Sequence, residues 1–160
     1  MIIPKIYLET TMFNFYYAPD APGYRVLKSQ VHQIFDLIKA GQFEPYTSAY
    51  TTDELEAETN IERREQMKGL IANYGIRFLG QSDEAERLAA LYIQEEAVPA
   101  AYPTDAAHIA ITAANGLDFI VSLNFGHIAR PWTVERVRRV NIREGYKGIG
   151  IYKPAEVLEL

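Results

Sequence analysis

The sequence contains no cysteine, which removes disulfide bonds, zinc–thiolate sites and thiol nucleophiles together. It also lacks any run of about 18 apolar residues, so we expect no membrane-spanning helix. The first residues have neither the long apolar segment nor the small-residue cleavage site of a secretory signal. These absences predict a cytoplasmic protein that makes no contact with a membrane.

Positive charge is in short supply, with 16 Lys and Arg residues against 21 Asp and Glu residues and a formal net charge of -5. A basic surface for nucleic acid over the whole molecule is therefore excluded, so any such affinity must be local or assisted by a metal. One local excess exists over residues 130–147, where Arg136 and Arg139 are our candidate RNA contacts. The basic residues of this run are Arg130, Arg136, Arg138, Arg139, Arg143 and Lys147.

The length of 160 residues suits one domain, which we assign to residues 1–160. A domain of this size buries roughly two-thirds of the surface that its unfolded chain exposes. Apolar residues make up 48% of the chain and charged residues 23%, so the composition is that of an ordinary globular protein.

Apolar segments of strand length alternate along the chain with segments of helical spacing. The expected strands are 2–8, 43–48, 75–79, 119–122 and 147–152. The expected helices are 10–17, 26–41, 51–58, 62–73, 82–94, 104–115, 134–143 and 155–160. This order predicts an α/β/α fold with a mostly parallel central sheet of about five strands and helices on both faces.

Three helix starts and one central strand can be assigned more closely. Thr10 or Thr11 is expected to cap the first helix, and Thr51 or Thr52 to begin the third. Ser82 is a further helix start, and Gly116 has the position that a helix C-terminus prefers. The near-continuous apolar run 119–122 is typical of a strand covered on both faces.

Four oxygen-bearing side chains follow strands or begin helices: Glu9, Glu54, Asp105 and Asn124. Parallel strands place their carboxyl ends at one edge of the sheet, so we expect these side chains to converge there. Carboxylates that crowd together need a divalent cation between them, and hard oxygen ligands favour Mg²⁺ or Mn²⁺. Such a cation supports phosphodiester hydrolysis.

The same residues lie in four sequence blocks that resemble those of PIN-domain nucleases, nearest to the VapC toxins of VapBC toxin–antitoxin modules. The resemblance covers essentially the whole chain and rests on the order and context of the blocks. The blocks are Ile6-Tyr7-Leu8-Glu9-Thr10-Thr11, Ser48 with Asp53-Glu54-Leu55, Asp105-Ala106-Ala107-His108-Ile109-Ala110, and Asp118-Phe119-Ile120-Val121-Ser122-Leu123-Asn124-Phe125.

The resemblance implies a PIN-like fold and an endoribonuclease that depends on Mg²⁺ or Mn²⁺, is usually dimeric and is silenced by a cognate antitoxin. By position, the catalytic set would be Glu9, Glu54, Asp105 and Asn124, with Glu9, Asp105 and Asn124 at the metal. Glu9 stands where the family has Asp, and Asn124 stands where Asp is common.

Other polar residues near these blocks have assisting roles in this prediction. Thr10 and Ser122 would orient the carboxylates, and His127 would contact phosphate. His108 is expected to be a core or interface histidine.

Simpler explanations exist for two members of the catalytic set. An acid in the first turn of a helix, such as Asp105, commonly serves only the helix dipole, and Asn124 could simply form a turn.

Two alternative functions remain open at this point. The first is a catalytically weakened PIN-like module that binds RNA or a protein partner. The second is an unrelated small-molecule enzyme or nucleotide binder, against which the turn Glu9-Thr10-Thr11 argues because it has no glycine to form a phosphate cradle.

Overall fold

The computed structural model describes residues 2–160, and this part of the chain forms five strands and eight helices. The strands are β1 (Lys5–Leu8), β2 (Glu44–Ser48), β3 (Arg77–Leu79), β4 (Phe119–Val121) and β5 (Gly150–Tyr152). The helices are α1 (Thr10–Tyr16), α2 (Arg25–Lys39), α3 (Ala49–Leu55), α4 (Ile61–Asn73), α5 (Asp83–Gln94), α6 (Pro103–Ala114), α7 (Pro131–Arg143) and α8 (Pro154–Val157).

The five strands form one sheet in the order β3-β2-β1-β4-β5, and every neighbouring pair is parallel. The predicted α/β/α class is therefore confirmed, and the sheet is entirely rather than mostly parallel. From β1 the chain first builds outward through β2 and β3, and then places β4 and β5 on the other side of β1. In open parallel sheets, ligands bind beyond the carboxyl ends of the strands at such a reversal of strand order.

Both faces of the sheet are covered by helices, as the apolar strands require. Side chains alternate along β1, so Ile6 and Leu8 pack with helices α1, α2 and α4, whereas Tyr7 packs with α5, α6 and α7. All three residues of β4 are buried, which agrees with its prediction as a central strand.

One predicted helix cap and one predicted helix start were wrong, and both errors have a local cause. Helix α1 has Glu9 as its N-cap, because the Glu9 carboxylate accepts a hydrogen bond from the Thr11 backbone N–H and takes the role expected of a threonine hydroxyl. Helix α3 begins at Ala49, because the Ser48 hydroxyl accepts from the Tyr50 N–H and so caps the helix two or three residues early. The Ser82 cap of α5 is confirmed.

Two further local predictions concern the end of helix α6 and the length of strand β5. Gly116 has the positive φ of 66° that favours glycine after a helix, as expected. Strand β5 is shorter than predicted, because its pairing with β4 begins only at Gly150 opposite Phe119.

Among residues 2–160, no helix combines the length and the hydropathy needed to cross a membrane.

Candidate metal centre

The candidate site begins where β1 and β4 end side by side. Leu8 pairs with Val121 in the sheet, so the next residues, Glu9 and Ser122, are neighbours. The Ser122 hydroxyl donates to Glu9 Oε1 at 2.6 Å, and Thr11 donates to the same oxygen from its hydroxyl at 2.5 Å and its backbone N–H at 3.3 Å. Three donors thus hold one carboxylate oxygen of Glu9, and the other oxygen, Oε2, receives none of these bonds.

Glu9 is the most deeply buried carboxylate of the site, with only 2% of its surface exposed. Burial raises the pKa of the Glu9 carboxyl, and the neighbouring charge of Glu54 adds to the effect. His108 and the hydroxyls of Ser122 and Thr11 act against burial and favour ionisation, but they do not cancel it. A buried carboxylate is costly without a compensating charge, so Glu9 is a group that a cation would stabilise.

Glu54 reaches the same place from helix α3, whose position is fixed by the Ser48 cap at the end of β2. Its Oε1 accepts hydrogen bonds from the Thr10 hydroxyl at 2.6 Å and from His108 Nε2 at 2.5 Å. Partial burial opposes ionisation of this carboxyl, but the hydrogen bonds and charge of His108, together with Thr10, outweigh burial and lower the pKa of Glu54. Glu54 is therefore an anion that faces both the buried cluster and solvent.

His108 is the third member of the site and is fully buried on helix α6. Its Nδ1 lies 2.7 Å from the Tyr7 hydroxyl, which in turn lies 2.6 Å from the Ser48 hydroxyl. Burial raises the pKa of Tyr7, so its phenol stays protonated and can act as donor or acceptor. The imidazole is thus held from both sides, by Tyr7 at Nδ1 and by Glu54 at Nε2.

Ligand atoms of Glu9, Glu54 and His108 all lie within 4.8 Å of one another. Two carboxylate oxygens and an imidazole nitrogen are a donor set that divalent cations accept in proteins. The hydroxyls and phenol that support these three side chains are the kind of outer groups that orient metal ligands. The residues present therefore fit the divalent cation expected from the sequence.

Asp105 and Asn124 lie in a second group, built around His127. Asp105 Oδ2 is 3.0 Å from His127 Nδ1, and Asn124 Oδ1 accepts the His127 backbone N–H at 3.0 Å. The Tyr102 ring packs on the His127 ring with centroids 3.9 Å apart. This leaves His127 Nε2 as the ring nitrogen that faces away from Asp105.

This grouping differs from the predicted metal set of Glu9, Asp105 and Asn124. The metal-capable cluster contains Glu9 but has Glu54 and His108 as its other members, because Asp105 is engaged by His127 and Asn124 caps the following turn. The two groups are nevertheless close, since Asp105 and His108 are three residues apart on helix α6 and project from the same face.

His108 belongs to the metal-capable cluster, although the sequence pattern did not assign it there. A histidine in an alanine-rich helix was predicted to be a core or interface residue, and it is indeed buried. The signal that could have found it is its spacing, one helical turn after Asp105. A buried polar side chain on that face needs a partner at the carboxyl edge of the sheet.

The remaining predicted contacts can be placed as follows. Thr10 touches Glu54 and Ser122 touches Glu9, so each hydroxyl contacts one carboxylate. Arg136 stacks on Trp132 with its guanidinium carbon 3.5 Å from the ring centroid, and Arg139 pairs with Glu135 at 3.2 Å. Neither arginine contacts the cluster, so their contact with RNA stays a prediction.

The aromatic residues that follow Glu9 are part of the core rather than an open groove. Phe13 is fully buried, and Phe15, Tyr16 and Tyr17 pack against the same apolar cluster. Near the candidate site, exposed aromatic surface comes instead from Tyr102 and Phe125, which are 47% and 40% exposed.

No protein-family model matches the chain, and no curated protein shows significant similarity to it.

Proposed function

We propose that this protein is an endoribonuclease that depends on Mg²⁺ or Mn²⁺ and hydrolyses RNA phosphodiester bonds. The observation that carries the proposal is the convergence of Glu9 and Glu54 at the carboxyl edge of the sheet, where the strand order reverses. The two residues are 45 positions apart in sequence and are brought together by β1 and by the helix that follows β2. The resemblance of the four sequence blocks to PIN-domain nucleases supports the same function.

The chain's own residues have distinct tasks in this mechanism. Glu9 and Glu54 would hold the cation, with Ser122, Thr11 and Thr10 fixing the carboxylates through the hydrogen bonds described above. A bound divalent cation would polarise a phosphodiester and would lower the pKa of a water molecule bound to it toward neutral.

The Asp105 group supplies a second contact to the substrate. Asp105 accepts a hydrogen bond from His127 Nδ1–H, and in the imidazolium form of His127 the Nε2–H can also donate to a phosphate oxygen. The side chain of His127 is 29% exposed, which makes it accessible to a bound strand. Asn124 fixes the backbone of His127, so it acts on the substrate through the position of this histidine.

We further propose that the protein is the toxin of a type II toxin–antitoxin pair, acts in the cytoplasm as a homodimer and is silenced by a cognate antitoxin protein. These parts of the proposal rest on the resemblance of the blocks that contain Glu9, Glu54, Asp105 and Asn124.

A second candidate function is a PIN-like module that binds RNA or a protein partner without cleaving RNA. The observation that favours it is that Asn124, which serves as a turn residue here, supplies no carboxylate at a position where Asp is common in the family that the blocks resemble. Glu9 also has one methylene more than Asp, which alters the reach of the first acid. The residues at positions 9 and 124 are therefore the features of the sequence that distinguish the two candidate functions.

The experiment that separates them measures cleavage of 5′-labelled single-stranded RNA by purified protein, with Mn²⁺, with Mg²⁺ and with EDTA. The nuclease proposal predicts cleavage with a divalent cation, none with EDTA, and strongly reduced cleavage by the Glu54→Gln variant with either cation. Binding of the RNA without cleavage under all three conditions would contradict the nuclease proposal and support the binding module.

A further inference from the structure

We propose that His108 is a direct ligand of the cation and that it makes the site select a transition metal such as Mn²⁺ over Mg²⁺. This inference rests on the proposed metal centre and deepens it by naming the cation that the site prefers. The sequence blocks predicted a site made of oxygen ligands alone, to which His108 adds a nitrogen.

The position of His108 satisfies the first requirement of a metal ligand. It lies close to the two carboxylates, and no Lys or Arg side chain among residues 2–160 takes the place of the metal ion there. The His108 Nε2 lies 2.5 Å from Glu54 Oε1, and ligand atoms of Glu9, Glu54 and His108 all lie within 4.8 Å of one another. No Lys or Arg is among the groups that most affect the ionisation of Glu9 or Glu54. His108 is therefore the nitrogen-bearing side chain placed between the two carboxylates.

The hydrogen bond at Nδ1 satisfies the second requirement, which is a usable tautomer. To bind a cation through Nε2, the imidazole must carry its proton on Nδ1. The Tyr7 oxygen, 2.7 Å from Nδ1, can accept that proton's hydrogen bond while the phenol O–H donates to Ser48. When Nε2–H donates to Glu54 instead, Nδ1 accepts a hydrogen bond from the Tyr7 hydroxyl, which then accepts one from Ser48. Both tautomers of His108 therefore have hydrogen-bond partners.

The rigidity of the surroundings satisfies the third requirement. His108 and Tyr7 are fully buried, and the Tyr50 ring also packs edge-on against the imidazole at 6.0 Å. A histidine that ligates a metal is commonly oriented by a hydrogen bond at its other ring nitrogen, and Tyr7 makes that bond here.

The selectivity follows from ligand chemistry. Imidazole nitrogen suits transition metals, whereas Mg²⁺ prefers oxygen ligands and keeps several of its waters. A site with one nitrogen and two carboxylates in a confined space therefore favours Mn²⁺ or Co²⁺ over Mg²⁺. The oxygen-only set predicted from the sequence would lack this preference.

The test is calorimetric titration of metal-free protein with MnCl₂, CoCl₂ and MgCl₂ in the absence of RNA, for wild type, His108→Asn and the matched control His127→Asn. We expect wild type and His127→Asn to bind Mn²⁺ more tightly than Mg²⁺. In His108→Asn we expect Mn²⁺ affinity to fall at least about tenfold, the smallest loss typical when even a group that only supports a ligand is removed. Its Mg²⁺ affinity should change less. An unchanged ratio of Mn²⁺ to Mg²⁺ affinity in His108→Asn would overturn the inference.

A second measurement keeps the inference falsifiable if His108→Asn fails to fold. Pulsed electron paramagnetic resonance of Mn²⁺-loaded wild type detects nitrogen bonded to the metal, and the signal should persist in His127→Asn. Loading without any nitrogen coupling would overturn the assignment of His108, even if the protein cleaves RNA. Nitrogen coupling in a protein that cleaves no RNA would sustain the metal site and contradict the nuclease function.

Discussion

Helix α6 contributes one residue to each of two carboxylate–histidine pairs, His108 to the pair with Glu54 and Asp105 to the pair with His127. The two pairs differ in burial and in their neighbouring residues. In the first pair, His108 is fully buried and Glu54 is 37% exposed in its side chain. In the second, His127 is 29% exposed and Asp105 is 12% exposed. The histidine is thus the inner member of the first pair and the outer member of the second.

The residues that surround each pair determine which ligand it can bind. The Glu54–His108 pair has a second buried carboxylate, Glu9, within reach of one cation, whereas the Asp105–His127 pair has the Tyr102 ring. A buried excess of negative charge calls for a metal, and an accessible imidazole next to an aromatic ring suits a phosphate and a base. We therefore propose that the same two residue types form a metal centre in one place and a substrate contact in the other.

The largest expected effect comes from breaking the metal pair. Glu54→Gln keeps the shape of the side chain but removes its charge, so we expect the rate of RNA cleavage to fall by about 10³-fold. Asp105→Asn, the matched substitution in the other pair, should leave Mn²⁺ affinity close to that of wild type while slowing cleavage, because Asp105 is outside the metal-capable cluster. Calorimetry and a gel assay on the same preparations measure both quantities. Loss of Mn²⁺ binding in Asp105→Asn would place that carboxylate at the metal.

A smaller effect is expected from the outer histidine. His127→Ala removes a donor to the phosphate, and we expect kcat/KM for a labelled RNA to fall by about 10²-fold. Steady-state kinetics measure this loss, and Mn²⁺ titration of the same variant should match wild type. Wild-type kinetics in His127→Ala would exclude the proposed phosphate contact.

Glu9 provides a prediction on stability rather than on rate. The raised pKa of Glu9 means that the folded state binds a proton more readily than the unfolded state. Its contribution to stability is therefore present at low pH and is lost as the pH rises through the folded pKa.

In metal-free buffer at pH 8, Glu9→Gln should accordingly be more stable than wild type by about 1 kcal/mol, which raises Tm by roughly 2 to 4 °C. The difference should shrink as the pH is lowered, and saturating Mn²⁺ should stabilise wild type and not the variant. Thermal melts at several pH values measure it. A variant that is less stable than wild type at pH 8 without metal would show that the Glu9 charge is compensated within the protein.

The smallest expected effect belongs to the ring that packs on His127. Tyr102→Leu removes an aromatic contact with a typical value of about 0.5 to 1.5 kcal/mol, so kcat/KM should fall by only about two- to twelvefold. Phe78→Leu is the matched control, because Phe78 is 52% exposed on the edge strand β3. Equal losses in both variants would mean that exposed aromatic rings contribute without regard to the site.

The fold was largely predictable because its signals are local. Apolar runs such as 119–122 specify buried strands, and Ser82 and Gly116 mark helix ends through their own backbone bonding. The predicted cap of α1 and the predicted start of α3 were wrong because Glu9 and Ser48 cap those helices with side chains that also belong to the site.

The candidate site was only partly predictable because it depends on contacts between distant residues. Glu9 and Glu54 follow strand ends, so topology alone brings them to one edge. The rotation of helix α6 against the sheet determines that Asp105 bonds to His127 and that His108 lies next to the carboxylates. Sequence spacing places both residues on one face of the helix but does not assign their partners.

The proposed metal centre is tested most directly by locating Mn²⁺ in crystals of the protein from its anomalous scattering. We predict a single strong peak between the carboxylates of Glu9 and Glu54 and the Nε2 atom of His108. A peak bound by Asp105 or Asn124, with His108 still hydrogen-bonded to Glu54 and remote from the ion, would contradict it.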